Sequence, residues 1–224
     1  MLLSSSERKT KIVAVIPFLN ERKFIVDVVQ KTLNYVDLII AVDDGSTDNS
    51  ANLISNFEKV ILITNDNNYG KGYAIRKGFE KAIEIDSEII FTLDGDNQHN
   101  PDMIPEFLDK IKSHDIVIGN RLNNIKTMPF HRRLSNKITS YLLSKKLGVK
   151  IKDSQCGFRA YRNNVIKKVQ TVFNGFEAES EILVKAIKNN FTIGFVDIPT
   201  IYGSQESKMK SFQAIKGFIK VLMI

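Results

Sequence analysis

Ile89-Ile90-Phe91-Thr92-Leu93-Asp94-Gly95-Asp96-Asn97-Gln98-His99 joins an apolar run to two carboxylates one residue apart. The apolar part reads as a buried strand. In extended backbone, residues i and i+2 point to the same side, so Asp94 and Asp96 can converge on one hard cation. Gly95 between them lets a ligand come close. Mg²⁺ or Mn²⁺ is usually held by one or two carboxylates together with substrate phosphates. The expectation is a metal–diphosphate site at the carboxyl end of a parallel strand, where open α/β sheets bind ligands. The competing reading is a plain polar turn, because Asp-Gly is a common turn dipeptide.

The flanking sequence alternates between strand and helix patterns. Lys11 to Pro17 is a β-branched apolar run that predicts a central strand ended by Pro17. Asn20 is expected to cap a helix with Glu21 in its first turn. Asp37 to Asp43 reads as a second buried strand, running into the turn-forming Asp44-Gly45-Ser46-Thr47-Asp48. Val60 to Thr64 is a third, and Gly70-Lys71-Gly72 opens a helix reaching about Ile85. Pro101 and Pro105 start another helix, and Ile116 to Gly119 is a fifth strand. This alternation predicts an α/β fold, a mostly parallel central sheet with helices on both faces. Asn20, Glu21, Asp43, Asp44, Asp94 and Asp96 should then meet at one edge of the sheet. No segment has the spacing of a Walker loop or of a G-x-G-x-x-G loop after the first strand.

Past Gly119 the pattern changes. Arg121 follows the fifth strand, and Pro129 to Leu147 reads as a basic helix containing His131, Arg132 and Arg133. Asp153-Ser-Gln-Cys-Gly157-Phe-Arg159-Ala-Tyr161 predicts a loop entering a short strand. A helical pattern lies within residues 173–190, a strand runs from Ile193 to Ile201, and a polar loop carries Lys208. Ser211 to Ile224 places Phe212, Ile215, Phe218, Ile219, Leu222 and Met223 on one stripe flanked by Lys208, Lys210, Lys216 and Lys220. Such a helix either lies in a membrane interface or packs on the core or a partner chain. The division expected is a tail over 1–10, one catalytic domain over 11–209 and an amphipathic, membrane-interfacial helix over 210–224. The chain is apolar to its last residue, which suggests continuation downstream.

At 224 residues the chain can bury one sizeable core. One cysteine, Cys156, excludes an internal disulfide and suits a reducing compartment. The N-terminus is too polar for a signal peptide, and no apolar run is long enough to span a bilayer. The net charge of +7 is unevenly distributed: residues 1–119 carry 13 Lys/Arg against 19 Asp/Glu, and residues 120–224 carry 19 against 6. A second half at +13 beside a first half at −6 points to an anionic partner.

With these pieces placed, the chain resembles the inverting nucleotide-sugar glycosyltransferases of the GT-A fold, glycosyltransferase family 2. Within it, the chain is most similar to the polyprenyl-phosphate sugar synthases, the dolichol-phosphate mannose and glucose synthase group. The resemblance runs over about residues 11–209. It rests on Pro17-Phe-Leu-Asn20-Glu21, Asp43-Asp44-Gly45-Ser46-Thr47-Asp48, Asn68-Tyr-Gly70-Lys71-Gly72, Asp94-Gly95-Asp96-Asn97-Gln98-His99, Gly119-Asn-Arg121 and Asp153-Ser-Gln-Cys-Gly157-Phe-Arg159. It implies that Pro17, Asn20, Glu21, Asp44, Lys71, Gly72 and Asp94 line the nucleotide pocket. It implies that Asp94, Asp96 and Gln98 bind a divalent metal, and that Arg121, Arg133 and Lys208 contact phosphate; Arg159 is a further candidate for phosphate, or else pairs with a carboxylate. The implied donor is a nucleotide sugar of the GDP-mannose or UDP-glucose type, and the implied acceptor is polyprenyl or dolichyl phosphate. The implied location is peripheral, on the cytoplasmic face of the cell membrane. Gly95 stands where mannose synthases often have Ala, and the 153–157 segment is nearer the glucose-synthase pattern.

The expected reaction is direct displacement at the anomeric carbon with inversion, with Asp96 and Arg121 in catalytic roles. A phosphate acceptor is already ionised and needs cations rather than a base. A sugar hydroxyl acceptor would need a carboxylate base, and Asp153 is the candidate, against a simpler role as a capping residue. A sugar nucleotidyltransferase is disfavoured because Pro17-Phe-Leu-Asn20-Glu21 has no glycine. Nucleic acid is not an expected partner, since binding it would leave the acidic residues without purpose. His99 could touch the diphosphate or lie exposed in its loop, and Cys156 reads as a packing residue rather than a nucleophile.

Overall fold

The computed structural model describes residues 11–123, 128–199, 201 and 211–224. Its elements in chain order are β1 (Ile12–Phe18), α1 (Ile25–Thr32), β2 (Leu38–Asp43), α2 (Ser50–Ile54), β3 (Val60–Thr64), α3 (Lys71–Glu84), β4 (Ile89–Thr92), a 3₁₀ turn (Pro101–Met103), α4 (Ile104–Lys110) and β5 (Ile116–Asn120). Then follow α5 (Phe130–Leu147), β6 (Arg159–Arg162), α6 (Asn163–Lys168), α7 (Ala178–Lys188), β7 (Ile193–Asp197) and α8 (Ser211–Met223). The sheet order is β3-β2-β1-β4-β6-β5-β7. β1 runs parallel to β2 and β4, and β5 parallel to β7. The expected α/β architecture with a mostly parallel sheet is therefore the one observed.

Packing explains the continuous apolar runs. Val13 to Ile16, Ile39 to Val42, and Ile90 and Phe91 are fully buried, as strands covered on both faces must be. Pro17 sits in a central strand without losing a ladder bond on its β4 side. The β4 register ends at Val15 opposite Thr92, so Pro17 lies beyond it.

One local expectation is corrected. Asn20 does not cap the first helix: its φ is 52°, the left-handed region. There its Oδ1 accepts from Thr47 N at 2.8 Å and its own N–H donates to Ser46 Oγ at 2.9 Å. The residue is used to tie two loops together, and α1 begins later, after Glu21 O accepts from Phe24 N and Ile25 N. In the sheet, β5 does not pair directly with β4. β6 lies between them, antiparallel to both.

This arrangement brings the carboxyl ends of β1, β2, β4 and β5 to one edge, as predicted. The antiparallel sense of β6 puts its amino end there too. The loop 153–158 therefore arrives beside Asp94 although it lies far along the chain.

Candidate active site

Four strand ends and the first turns of two helices build the site. Asp94 follows β4 and meets Lys71, the first residue of α3, with Nζ 2.5 Å from Asp94 Oδ1. Lys71 Nζ also lies 3.0 Å from Glu179 Oε1, in the first turn of α7. Burial works against the Lys71 charge, but Asp94 and Glu179 outweigh it and raise its pKa. Burial likewise opposes the charge on Asp94, and the Lys71 ammonium overrides it and lowers the pKa. Gly157 abuts this ion cluster. A Cβ there would stand 2.8 Å from Asp94 Oδ2 and 3.0 Å from both Glu179 Oε1 and Lys71 Nζ.

Asp96 behaves differently. Its Oδ1 accepts from Gln98 N at 3.0 Å. Burial, then the neighbouring Asp94 charge, push its carboxyl up to about 6. Two carboxylates held close and partly away from water repel each other, which a dication would relieve. Gln98 follows two residues on and is half-buried. Among the described residues no three His, Cys, Asp or Glu side chains are grouped to hold an ion unaided. Asp94, Asp96 and Gln98 fit the other mode, in which substrate phosphates complete the shell of Mg²⁺ or Mn²⁺.

His99 takes neither of the places considered for it. It is 4% exposed, and its Nδ1 accepts the Asp94 backbone N–H at 3.3 Å. Burial pulls its pKa down to about 4, so it stays neutral. Its ring lies over Phe158, with centroids 5.5 Å apart. It shapes the acidic loop from beneath.

Arg121 follows β5, and its charge helps to hold the Asp94 carboxyl low. Asp153 grips it: Nε donates to Oδ2 at 2.8 Å and Nη2 to Oδ1 at 3.1 Å. Asp153 also accepts from Gln155 N and is fully buried. Burial opposes its charge, but Arg121 outweighs it and lowers the pKa. A buried, doubly paired carboxylate with a depressed pKa is a poor base, so the expectation of Asp153 as a general base is corrected. It holds Arg121 in place through two bonds.

Arg159 is also reassigned. It is completely buried, donating from Nε to Cys156 O, from Nη1 to Glu179 O and from Nη2 to Ser154 O at 2.6–2.8 Å. With its guanidinium spent on three carbonyls it cannot reach a phosphate. It fastens the 154–156 loop to the turn that carries Glu179. Gly72 is corrected for a similar reason. It is buried, and a Cβ there would come within 2.5 Å of Ala178 Cβ and Phe173 O. Its N–H and that of Tyr73 donate to Asn174 O, so the start of α3 is closed by protein.

Asp44 is 4% exposed and organises the 65–70 loop. Oδ1 accepts from Asn65 Nδ2 and Tyr69 N, and Oδ2 from Gly70 N at 2.7 Å. Pro17 is buried, and Asn20 and Glu21 lie at the same edge. Arg133 is half-buried in the first turn of α5. Lys208 lies outside the described residues. Cys156 is buried, its thiol pushed up to about 12 by burial, as suits packing.

Glu179 is the residue that sequence reasoning missed. The signal was available: an acid in the first turn of a helix whose neighbours Ile182, Leu183 and Ala186 are all buried. A surface cleft of about 580 Å³ between α4 and β7, lined by Glu106, Asp109 and Asp197, shares no residue with this cluster.

Against known proteins, the family model described as glycosyl transferase family 2 matches residues 13–170. The chain belongs to glycosyl transferase family 2. A UDP-N-acetylglucosamine–dolichyl-phosphate N-acetylglucosaminyltransferase from Methanococcus voltae is 34% identical over 91% of this chain and 90% of its own length. An undecaprenyl-phosphate 4-deoxy-4-formamido-L-arabinose transferase from Proteus mirabilis is 28% identical over 96% of this chain and 66% of its own. Glucosyl-3-phosphoglycerate synthase from Mycobacterium tuberculosis, crystallised with Mn²⁺, uridine diphosphate and glucosyl-3-phosphoglycerate, superposes with a TM-score of 0.76. That match is 17% identical, covers 96% of this family 2 chain and 81% of the other, and shows the shared fold. As a family 2 member the chain is a glycosyltransferase, an enzyme.

Proposed function

We propose that this glycosyltransferase moves a sugar from a nucleoside diphosphate to the phosphate of a polyprenyl or dolichyl lipid, with inversion at the anomeric carbon. The observation that carries the reading is the Asp153–Arg121 clamp beside Asp94. It fixes a cation at the reacting edge and uses up the carboxylate that a hydroxyl acceptor would need as a base. An acceptor phosphate brings its own negative oxygen, so the chemistry asks for cations and orientation. The Methanococcus voltae relative, a UDP-N-acetylglucosamine–dolichyl-phosphate N-acetylglucosaminyltransferase, supports the acceptor class and favours a UDP-linked donor over a GDP-linked one.

Asp94, Asp96 and Gln98 would hold the divalent metal, which supplies charge stabilisation to the departing nucleoside diphosphate. Lys71, set between Asp94 and Glu179, presents a second cation to the same diphosphate. Arg121 faces the phosphate oxygens gathering negative charge, and Arg133 and Lys208 belong to the acceptor side. Pro17, Asn20, Glu21 and Asp44 shape the nucleoside end, Asp44 by holding the 65–70 loop. No helix among the described residues is long and apolar enough to cross a membrane. Peripheral contact through α8 on the cytoplasmic face is part of the same reading.

The test is direct. Purified protein receives labelled UDP-N-acetylglucosamine, UDP-glucose or GDP-mannose with Mn²⁺ and either polyprenyl phosphate or soluble sugars. Label in the lipid fraction is expected. Label only in soluble oligosaccharide would overturn the acceptor and return the question of which residue is the base.

A further inference from the structure

Glu181 is a fully buried carboxylate to which the proposed reaction gives no part. It lies in the first turn of α7, two residues beyond Glu179, so the two acids leave the helix on opposite sides. Its Oε2 accepts from Val172 N and Phe173 N, each at 3.0 Å, and from Thr171 Oγ1. Lys185 Nζ, one turn on, lies 2.6 Å from Oε1. Burial opposes the charge, but Lys185, Thr171 and the two N–H donors outweigh it and lower the pKa. Residues 169–174 belong to no helix or strand, so their N–H groups have no ladder to bond to. Glu181 supplies the acceptor and thereby fixes the course of the segment.

α3 starts against that segment. Asn174 O accepts from Gly72 N at 2.7 Å and from Tyr73 N at 3.3 Å, two of the N–H groups that a helix start leaves without an internal partner. Gly70 and Gly72, on either side of Lys71, are both required by this close approach. A Cβ on Gly70 would run into Asn174 O, and one on Gly72 would stand 2.5 Å from Phe173 O and 2.8 Å from Gly175 O. From the α3 side, Arg76 donates from Nη1 to Thr171 O at 3.3 Å and from Nη2 to Asn174 Oδ1 at 2.8 Å. Lys71 is thus set between two residues docked on one segment. Phe176, just past it, brings its ring to 5.7 Å from Lys71 Nζ.

We infer that Glu181 is a positioning residue for the transfer reaction. It acts through the 171–174 segment, which sets where α3 begins and therefore where Lys71 holds its ammonium. The inference rests on the proposed function in giving Lys71 the donor diphosphate to bind, and adds a residue whose own carboxylate is spent on a loop. An ionised acceptor suits that task, because hydrogen bonds to a carboxylate are roughly twice as strong as neutral ones.

The full chain is titrated with UDP and Mn²⁺ as the parent, Glu181→Gln, Lys71→Met and the double variant, and backbone hydrogen exchange is followed in the same samples. Glutamine replaces one of the two accepting oxygens with a donor. Glu181→Gln should therefore cut the exchange protection of the Gly72 and Tyr73 amides about tenfold while the amides of β1 keep theirs. It should weaken UDP binding about tenfold. In the Lys71→Met background it should add less than about twofold. Arg76→Gln removes the second hold from a half-buried side chain and should repeat the pattern at about threefold, which decides the matter should Glu181→Gln fold poorly. Unchanged protection at Gly72 and Tyr73 in both variants would overturn the inference. So would a loss of UDP affinity that is the same with and without Lys71. If protection falls but Lys71→Met binds UDP as the parent does, the diphosphate role of Lys71 falls and the hold of Glu181 on α3 stands.

Discussion

Nε and Nη2 of Arg121 both donate to one carboxylate, Asp153, which is itself sealed from solvent. The pair is a clamp, and breaking it from the acid side strips a partly buried guanidinium of its bonds to that carboxylate. Asp153→Asn should cost about 3 kcal/mol of folding stability, measured by urea titration. It should also lower kcat about tenfold or more with little change in KM for the donor.

The same pair sets an acid limit. The Asp153 pKa is lower in the folded protein than the ordinary 3.8. Its contribution to stability is therefore complete above the ordinary carboxylate range and is lost as pH falls through the depressed value. Below about pH 4 the melting temperature should fall steeply with pH in the parent and less steeply in Asp153→Asn.

Asp96 is held against its own preference, beside Asp94 and partly away from water. Replacing it with Asn removes the repulsion. Asp96→Asn should leave the melting temperature equal to or above that of the parent, by up to about 1 kcal/mol of stability. The rise in melting temperature on adding UDP with Mn²⁺ should vanish, and activity should fall about a hundredfold or more. A preserved Mn²⁺-dependent shift would remove Asp96 from the metal site.

In the proposed function Glu179 acts on the diphosphate through Lys71, so its loss should misplace that ammonium rather than unfold the chain. Glu179→Gln should raise the donor KM about tenfold, and in a Lys71→Met background it should add almost nothing. Equal effects in both backgrounds would make Glu179 a packing residue.

Arg159 gives the opposite signature. Lysine cannot span three carbonyls in one plane, so Arg159→Lys should destabilise by about 3 kcal/mol. The KM for the acceptor in the folded fraction should be unchanged. A selective rise in acceptor KM would restore Arg159 to phosphate binding.

What the sequence made legible was local and periodic. β-branched runs placed β1, β2 and β4, and the i, i+2 spacing of Asp94 and Asp96 placed the acids at a strand end. What it hid depended on partners far along the chain. Nothing in Arg159-Ala-Tyr-Arg162 says that it pairs backwards between β4 and β5. Nothing in Arg159 or Asp153 distinguishes a charge aimed at ligand from one spent on three carbonyls or on Arg121. Asn20 was misread because the capping preference of Asn and its tolerance of left-handed backbone are both strong, and the contact with Thr47 selects the second.

The insertion of β6 between β4 and β5 also governs how this molecule can be taken apart. A strand from the lysine-rich portion completes the hydrogen bonding of two strands from the acid-rich portion. Cutting after residue 120 would not release a donor-binding module from an acceptor-binding one. It would expose two raw sheet edges, prone to stick to their copies, and neither fragment would be expected to fold alone.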